Sequence, residues 1–243
     1  MQIEKQRLDD GWMFFNPEVW TEVQESYFYP RHWQQNRAVI GQASGRGTTL
    51  FFRYQDRDCV LRHYHRGGMV SRISDDRYFY LGLSRSRVWR EFKLLAQIRS
   101  LGLKAPLPIA ARLKRQGFSC RADLITEKID NARDMADLLS HKRLLPEEWA
   151  RIGETIAQYH LNGIYHADLN LRNIMLDDQQ QVWLIDWDNG RNRRPAKSWR
   201  QANLDRLLRS LEKEQKNSSH CHWLRSDWQC LIEGYQASFK QGL

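Results

Sequence analysis

Asp168, Asn173 and Asp186 carry hard oxygen donors and flank two short apolar runs, NIML and VWLI, in the stretch IYHADLNLRNIMLDDQQQVWLIDWDNGR from Ile164 to Arg191. Oxygens set so close to such runs are placed to hold something. Phosphoryl transfer has that requirement: it takes a carboxylate at the acceptor hydroxyl, oxygen ligands for magnesium and cations on the phosphates. The stretch supplies the first two. Pairing of the runs as strands around the turn DDQQQ brings Asn173 and Asp186 to the same end, where they can share a metal, with Asp168 beside them.

Other elements must hold that arrangement. Pro146, Glu147 and Glu148 make a favourable helix start, Trp149, Ile152, Ile156 and Tyr159 then recur on one face, and Asn162 and Gly163 stop the helix just before the stretch. NLDRLLRSLEK and SDWQCLIEGYQASF read as two further helices beyond it. From Arg37 to about Lys128 the pattern is mainly strands. RAVIGQASGRGTTLFFRY is two apolar runs around a glycine-rich bend and CVLRHY is a third strand. PLPIAARL and RADLITEKI, joined by KRQG, form a second hairpin. Between them Val88, Phe92, Leu95 and Ile98 have helical spacing, ended by Gly102. The expected fold class is α+β, with a strand-rich lobe over residues 1–128 and a helix-rich lobe over residues 129–243.

At 243 residues and 41% hydrophobic, the chain can bury one large core or two lobes. No apolar run reaches the roughly 18 residues of a membrane span, and MQIEKQRLDDGWMFF lacks the apolar centre of a secretory signal, so a cytoplasmic location is expected. Cys59, Cys120, Cys221 and Cys230 form no CxxC pair and read as reduced thiols. HCHW at His220–Trp223 with Cys230 is either a metal cluster or a polar loop leading into a helix. Lys and Arg outnumber Asp and Glu by 38 to 29, which favours anionic partners: nucleic acid, phosphorylated sugars or acidic lipid. The arginines cluster in SRSRVWR and GRNRRPAKSWR, and an arginine fork suits phosphate and carboxylate as well as a solvated surface.

HADLNLRN resembles the catalytic loop of the protein-kinase-like superfamily, H-R-D then four residues then Asn, and IDWDNG sits where that superfamily has D-F-G. The resemblance implies ATP as donor, Asp168 as catalytic base, and Asn173 and Asp186 as magnesium ligands, with His166 bracing the loop. Asp188 is either a second acidic group near the metal or a solvated turn residue. CVLRHY falls at the V-A-I-K strand, so Arg62 replaces the phosphate-contacting lysine, and Glu91 in WREFKLL is its helical partner. Gly45 and Gly47, with Gly41, occupy the place of the phosphate-covering loop without spelling GxGxxG, and a tight hairpin explains them equally.

Protein kinases carry a lysine two residues after the catalytic Asp; here that position is Asn170, no A-P-E follows, and too few residues remain for a peptide-docking lobe. The compact small-molecule branch fits better. VLRHYHRGGMVSR, DRYFYLGLSRSRVWREFKLL and IDWDNGRNRRPAKSWRQANLDRLLRSL are similar to the bacterial 3-deoxy-D-manno-octulosonic acid (Kdo) kinases. That implies phosphorylation of the 4-hydroxyl of Kdo on a Kdo-bearing lipid A precursor by a peripheral monomer at the cytoplasmic face of the inner membrane. No nucleic-acid partner is expected, and Arg191, Arg193 and Arg194 would lie near the anionic acceptor. Trp12, Phe14 and Phe15 either insert into the membrane or are buried between lobes. The alternatives are a lipopolysaccharide heptose kinase, a small atypical protein kinase, and a pseudokinase binding module.

Overall fold

In GWMFF the side chains alternate across a sheet, so Phe14 faces one side while Met13 and Phe15 face the other. The computed structural model describes residues 1–44, 48–64, 78–218 and 220–241. They fall into two units, Met1–Ser100 with Pro106–Lys128, and Leu101–Ala105 with Ile129–Leu243. The first unit is built on antiparallel strands β1 (Glu4–Leu8), β2 (Gly11–Phe15), β3 (Val39–Ser44), β4 (Thr48–Tyr54), β5 (Arg57–His63), β6 (Tyr78–Phe79), β7 (Pro108–Gln116) and β8 (Ser119–Glu127). Their order is β1-β2-β7-β8-β5-β4-β3, with β6 on β8. Gly45, Gly47 and most of VLRHYHRGGMVSR lie outside the described residues.

Residues 16–35, with the short helix α1 (Pro30–Gln35), cover one face of this sheet. Trp33 stacks on Phe52 at 3.9 Å, and Trp20, Tyr27 and Phe28 pack with Met13, Phe15 and Ile125. Helix α2 (Arg87–Ser100) covers the other face, where Phe14 meets Trp89 and Phe92 edge to face at 4.9 and 5.2 Å. Phe14 and Phe15 are therefore core residues of this unit and offer nothing to a membrane. Trp12 is half-buried with Arg7 stacked on its ring. The N-terminal hairpin is absent from the sequence reading, because β2 is covered on both faces and shows no polar alternation. The second hairpin turns at the end of KRQG: its strands pair through Gln116 and turn at Gly117, which takes φ +60°.

The second unit contains β9 (Arg133–Asp134), α3 (Met135–His141), α4 (Pro146–Leu161), β10 (Ile164–Tyr165), β11 (Ile174–Leu176), β12 (Val182–Leu184), β13 (Arg191–Asn192), α5 (Lys197–Asn217) and α6 (Arg225–Gln241). Pro146 opens α4 and the Glu148 carboxylate accepts the Leu145 N–H at 2.6 Å, while Gly163 at φ +69° ends it. The β11–β12 hairpin forms around DDQQQ, with Ile174 opposite Leu184. Helix α5 starts at Lys197, ahead of the NLDRLLRSLEK run.

Helices α4 and α6 cross backbone to backbone at two glycines. A Cβ on Gly153 would lie 1.9 Å from the Leu231 carbonyl oxygen, and one on Gly234 would lie 2.2 Å from that of Ala150. Neither neighbour is a flexible side chain, so the helices would have to separate. Gly153→Ala is expected to cost about 2–3 kcal/mol, the scale of overpacking a close contact, and to lower the thermal midpoint by roughly 4–10 °C. Circular dichroism melts test this, and an unchanged midpoint would refute the close crossing.

Candidate active site

The chain leaves α4 through Gly163 and enters the HADLNLRN loop, whose anchor is His166. This imidazole is 2% exposed and burial pushes its pKa down, so it is neutral. Its Nδ1 accepts the Asp168 N–H at 3.2 Å, and its Nε2–H donates to the Ile185 carbonyl at 2.9 Å. One ring thus ties the Asp168 backbone to the end of the returning strand. Asn173 closes the loop, its side-chain amide donating to the Asp168 carbonyl at 2.8 Å and its own carbonyl accepting the Ile185 N–H at 3.0 Å. Asn170 shapes the turn, accepting the Arg172 N–H at 2.9 Å and donating to the Asp168 carbonyl at 3.0 Å.

Asp186 follows Ile185 with φ +60°, a left-handed conformation uncommon for a residue with a Cβ. Both neighbours are fixed: Ile185 is bonded to His166 and Asn173, and Trp187 is 1% exposed with its indole N–H on the Leu184 carbonyl at 2.9 Å. The backbone strain is held by that packing, a pattern that concentrates at functional sites. Asn173 and Asp186 are brought to the same end of the hairpin by the pairing of β11 with β12. An amide oxygen and a carboxylate are donors that magnesium takes, the remaining positions going to phosphate and water. Among the described residues no three His, Cys, Asp or Glu side chains are placed to hold a metal, and this includes the HCHW segment.

One face of α5 runs along the loop. Asn203 donates to the His166 carbonyl at 2.8 Å, Arg206 donates to the Asp168 carboxylate, Ser210 accepts the Leu171 N–H at 3.3 Å, and Glu214 pairs with Arg172 at 3.4 Å. These positions recur every three or four residues, the repeat of a single helix face. Asn203 is itself fixed from behind: Tyr235 O–H donates to His160 Nδ1 at 2.9 Å, and His160 Nε2–H donates to Asn203 Oδ1 at 3.2 Å. Burial holds His160 down to about 4 and Tyr235 up to about 12, so the relay is neutral.

The first unit holds a separate cluster. Glu91 lies on the buried stripe of α2, one turn from Val88, and is 4% exposed. Both its oxygens are engaged: Arg62 on β5 donates to Oε1 at 2.5 Å, and the buried Tyr64 hydroxyl donates to Oε2. Arg62 is thus held on Glu91 and keeps 30% of its side chain exposed. Arg191, Arg193 and Arg194 are exposed. Arg193 lies 3.7 Å over the Tyr165 ring and its N–H bonds the Gly163 carbonyl, which fixes this arginine run beside the start of the loop.

Tyr64, Asn203, Arg206 and Ser210 are absent from the sequence reading. The available signal was a polar stripe on α5, which by itself does not say what faces it.

The comparisons extend across the chain. Residues 31–235 match the model of the lipopolysaccharide kinase (Kdo/WaaP) family. A 3-deoxy-D-manno-octulosonic acid kinase of Vibrio vulnificus (strain YJ016) is 38% identical over 235 residues, 97% of this chain and 99% of that protein. The kinase of the same name from Vibrio cholerae serotype O1 is 43% identical over 185 residues, 76% of this chain and 78% of that protein. A solved structure of WaaP in complex with acyl carrier protein shares the fold, with a TM-score of 0.57 at 14% identity over 98% of this chain and 89% of that one. The loop with its Asp, Asn and Asp, the antiparallel sheet with its Arg62–Glu91 ion pair, and matches over nearly the whole length agree: this chain is a kinase that belongs to the lipopolysaccharide kinase (Kdo/WaaP) family.

Proposed function

We propose that this chain transfers the γ-phosphoryl group of ATP to the 4-hydroxyl of Kdo on a Kdo-bearing lipid A precursor. The observation that carries the reading is the anchored loop: His166, Asn173 and α5 fix the backbone of Asp168 while its side chain stays 48% exposed, open to an acceptor. The names of the relatives point to the acceptor class.

Asp168 receives the acceptor hydroxyl in a hydrogen bond and aims its oxygen at phosphorus. The new O–P bond forms as the bond to the ADP oxygen breaks, and the hydroxyl proton passes to Asp168 late in the transfer. Asn173 and Asp186 would hold magnesium, which neutralises phosphate charge when bound. In the first unit Arg62, steadied by Glu91, contacts the nucleotide phosphates through its guanidinium. Arginine at this position can contact phosphate bidentately, which lysine cannot. The strand-rich residues 1–128 thus cover the nucleotide and residues 129–243 carry the acceptor chemistry.

Among the described residues no helix is long and apolar enough to cross a membrane. The substrate is a lipid, so the enzyme works at the cytoplasmic face of the inner membrane. Exposed Arg191, Arg193 and Arg194 add an attraction to anionic lipid of about 1 kcal/mol each before salt screening.

Purified protein with MgATP should release ADP with a Kdo-bearing lipid A precursor and not with the same lipid lacking Kdo. Asp168→Asn should fold normally and lose roughly 100-fold or more in kcat, the scale of losing a positioned base. Turnover of the Kdo-free lipid, or a fully active Asp168→Asn, would sink the assignment. A heptose-bearing acceptor without Kdo separates the heptose-kinase reading.

Arg62→Met should raise KM for ATP about tenfold or more, since a hydrogen bond to a charged group is commonly worth 1.5–3 kcal/mol. KM for the lipid should change little. An unchanged KM for ATP in a folded variant would remove Arg62 from the nucleotide site.

A further inference from the structure

The Asp168 carboxylate has a partner that the resemblance does not supply. Arg206, 38 residues downstream on α5, donates from Nε to Asp168 Oδ1 at 3.0 Å and from Nη2 to the same oxygen. Both contacts fall on Oδ1. Arg206 leaves Oδ2 clear, so the carboxylate is orientated.

Stability does not account for this pair. Each side chain is 48% exposed, and ion pairs that exposed contribute little to folding. The loop is already splinted on either side by Asn203 at His166, Ser210 at Leu171 and Glu214 at Arg172. The loop's own nearby polar groups are committed elsewhere. Asn170, at the position where protein kinases carry a lysine, spends its side chain on the turn. Arg172 pairs with Glu214.

We infer that Arg206 is the positioning residue of Asp168: it takes from α5 the part of the cation that Asn170 cannot play, pinning Oδ1 so that Oδ2 faces the acceptor hydroxyl. The inference rests on Asp168 being the residue that receives that hydroxyl. A loose phosphoryl transfer needs its nucleophile aimed more than deprotonated early, so an orientating cation helps.

The test is a double-mutant cycle on the full-length enzyme with MgATP and a Kdo-bearing lipid A precursor. Arg206→Ala should lower kcat about 10- to 100-fold, the range for misplacing a catalytic group, with KM for ATP and the thermal midpoint unchanged. Millimolar guanidinium chloride should restore part of the lost turnover in that variant and none in Asp168→Asn. In the Asp168→Asn background the same substitution should cost less than about threefold, because a residue acting through Asp168 has nothing left to act on. Arg206→Lys, which keeps the charge and loses the fork, should fall between, and it carries the comparison if the alanine variant folds poorly. Wild-type kcat in folded Arg206→Ala would overturn the inference. So would an equal loss in both backgrounds, which would place Arg206 on the phosphoryl group itself. A fully active Asp168→Asn would instead overturn the reading of Asp168, and the inference about Arg206 with it.

Discussion

The arrangement of the second unit depends on one neutral imidazole. His166 has a single proton to place, and the Asp168 N–H already claims Nδ1 as an acceptor, so Nε2 must carry it and donate to Ile185. A protonated ring would have a second N–H facing the Asp168 N–H, which leaves two buried donors opposed. Burial lowers the His166 pKa and so protects the only state that makes both bonds. Through that state the loop before β11 and the residue after β12 become one body.

Fixing the loop backbone leaves the side chains to be set, and α5 does this from a distance in sequence. Its polar face meets His166, Asp168, Leu171 and Arg172 in order, and its apolar face buries Leu204, Leu207 and Leu211. Helix position is therefore set by packing, with the loop as its beneficiary. The tight α4–α6 crossing matters for the same reason. Tyr235 on α6 and His160 on α4 pass a chain of hydrogen bonds to Asn203 and hence to His166. Each link is buried, so a shift of one helix would leave an unpaired polar group costing about 1–3 kcal/mol.

How much of this the sequence disclosed follows from how local each interaction is. The β11–β12 hairpin was readable because its turn and both strands are adjacent, and with it the meeting of Asn173 and Asp186 at one end. Glu91 was reached through the resemblance, as the helical partner of Arg62, and the structure pairs the two. The N-terminal hairpin was hidden because β2 is buried on both faces. Arg206 was hidden because an arginine on a solvent-rich helix face looks like any other until the facing loop is known. The left-handed backbone at Asp186 leaves no mark on residue type, since packing on both sides imposes it. Gly45 and Gly47 lie outside the described residues, so their part in covering phosphate stays a reading of the sequence.

Each unit contains a carboxylate held at one oxygen by an arginine from another element, and the difference in burial separates their uses. Glu91 is 3% exposed in its side chain and its second oxygen is bonded to Tyr64, so both acceptors are spent inside the protein. Breaking that pair would strand a buried charge, which makes Glu91 a fixed strut for Arg62. Asp168 is 48% exposed and Arg206 occupies only one of its oxygens. Water can occupy the other, and a hydroxyl can replace that water without a desolvation cost of the buried kind. Arginine suits both places because a guanidinium has five donors and can give one or two of them to a single carboxylate oxygen. The same pairing is thus closed off at Glu91 and open at Asp168, with solvent access making the distinction.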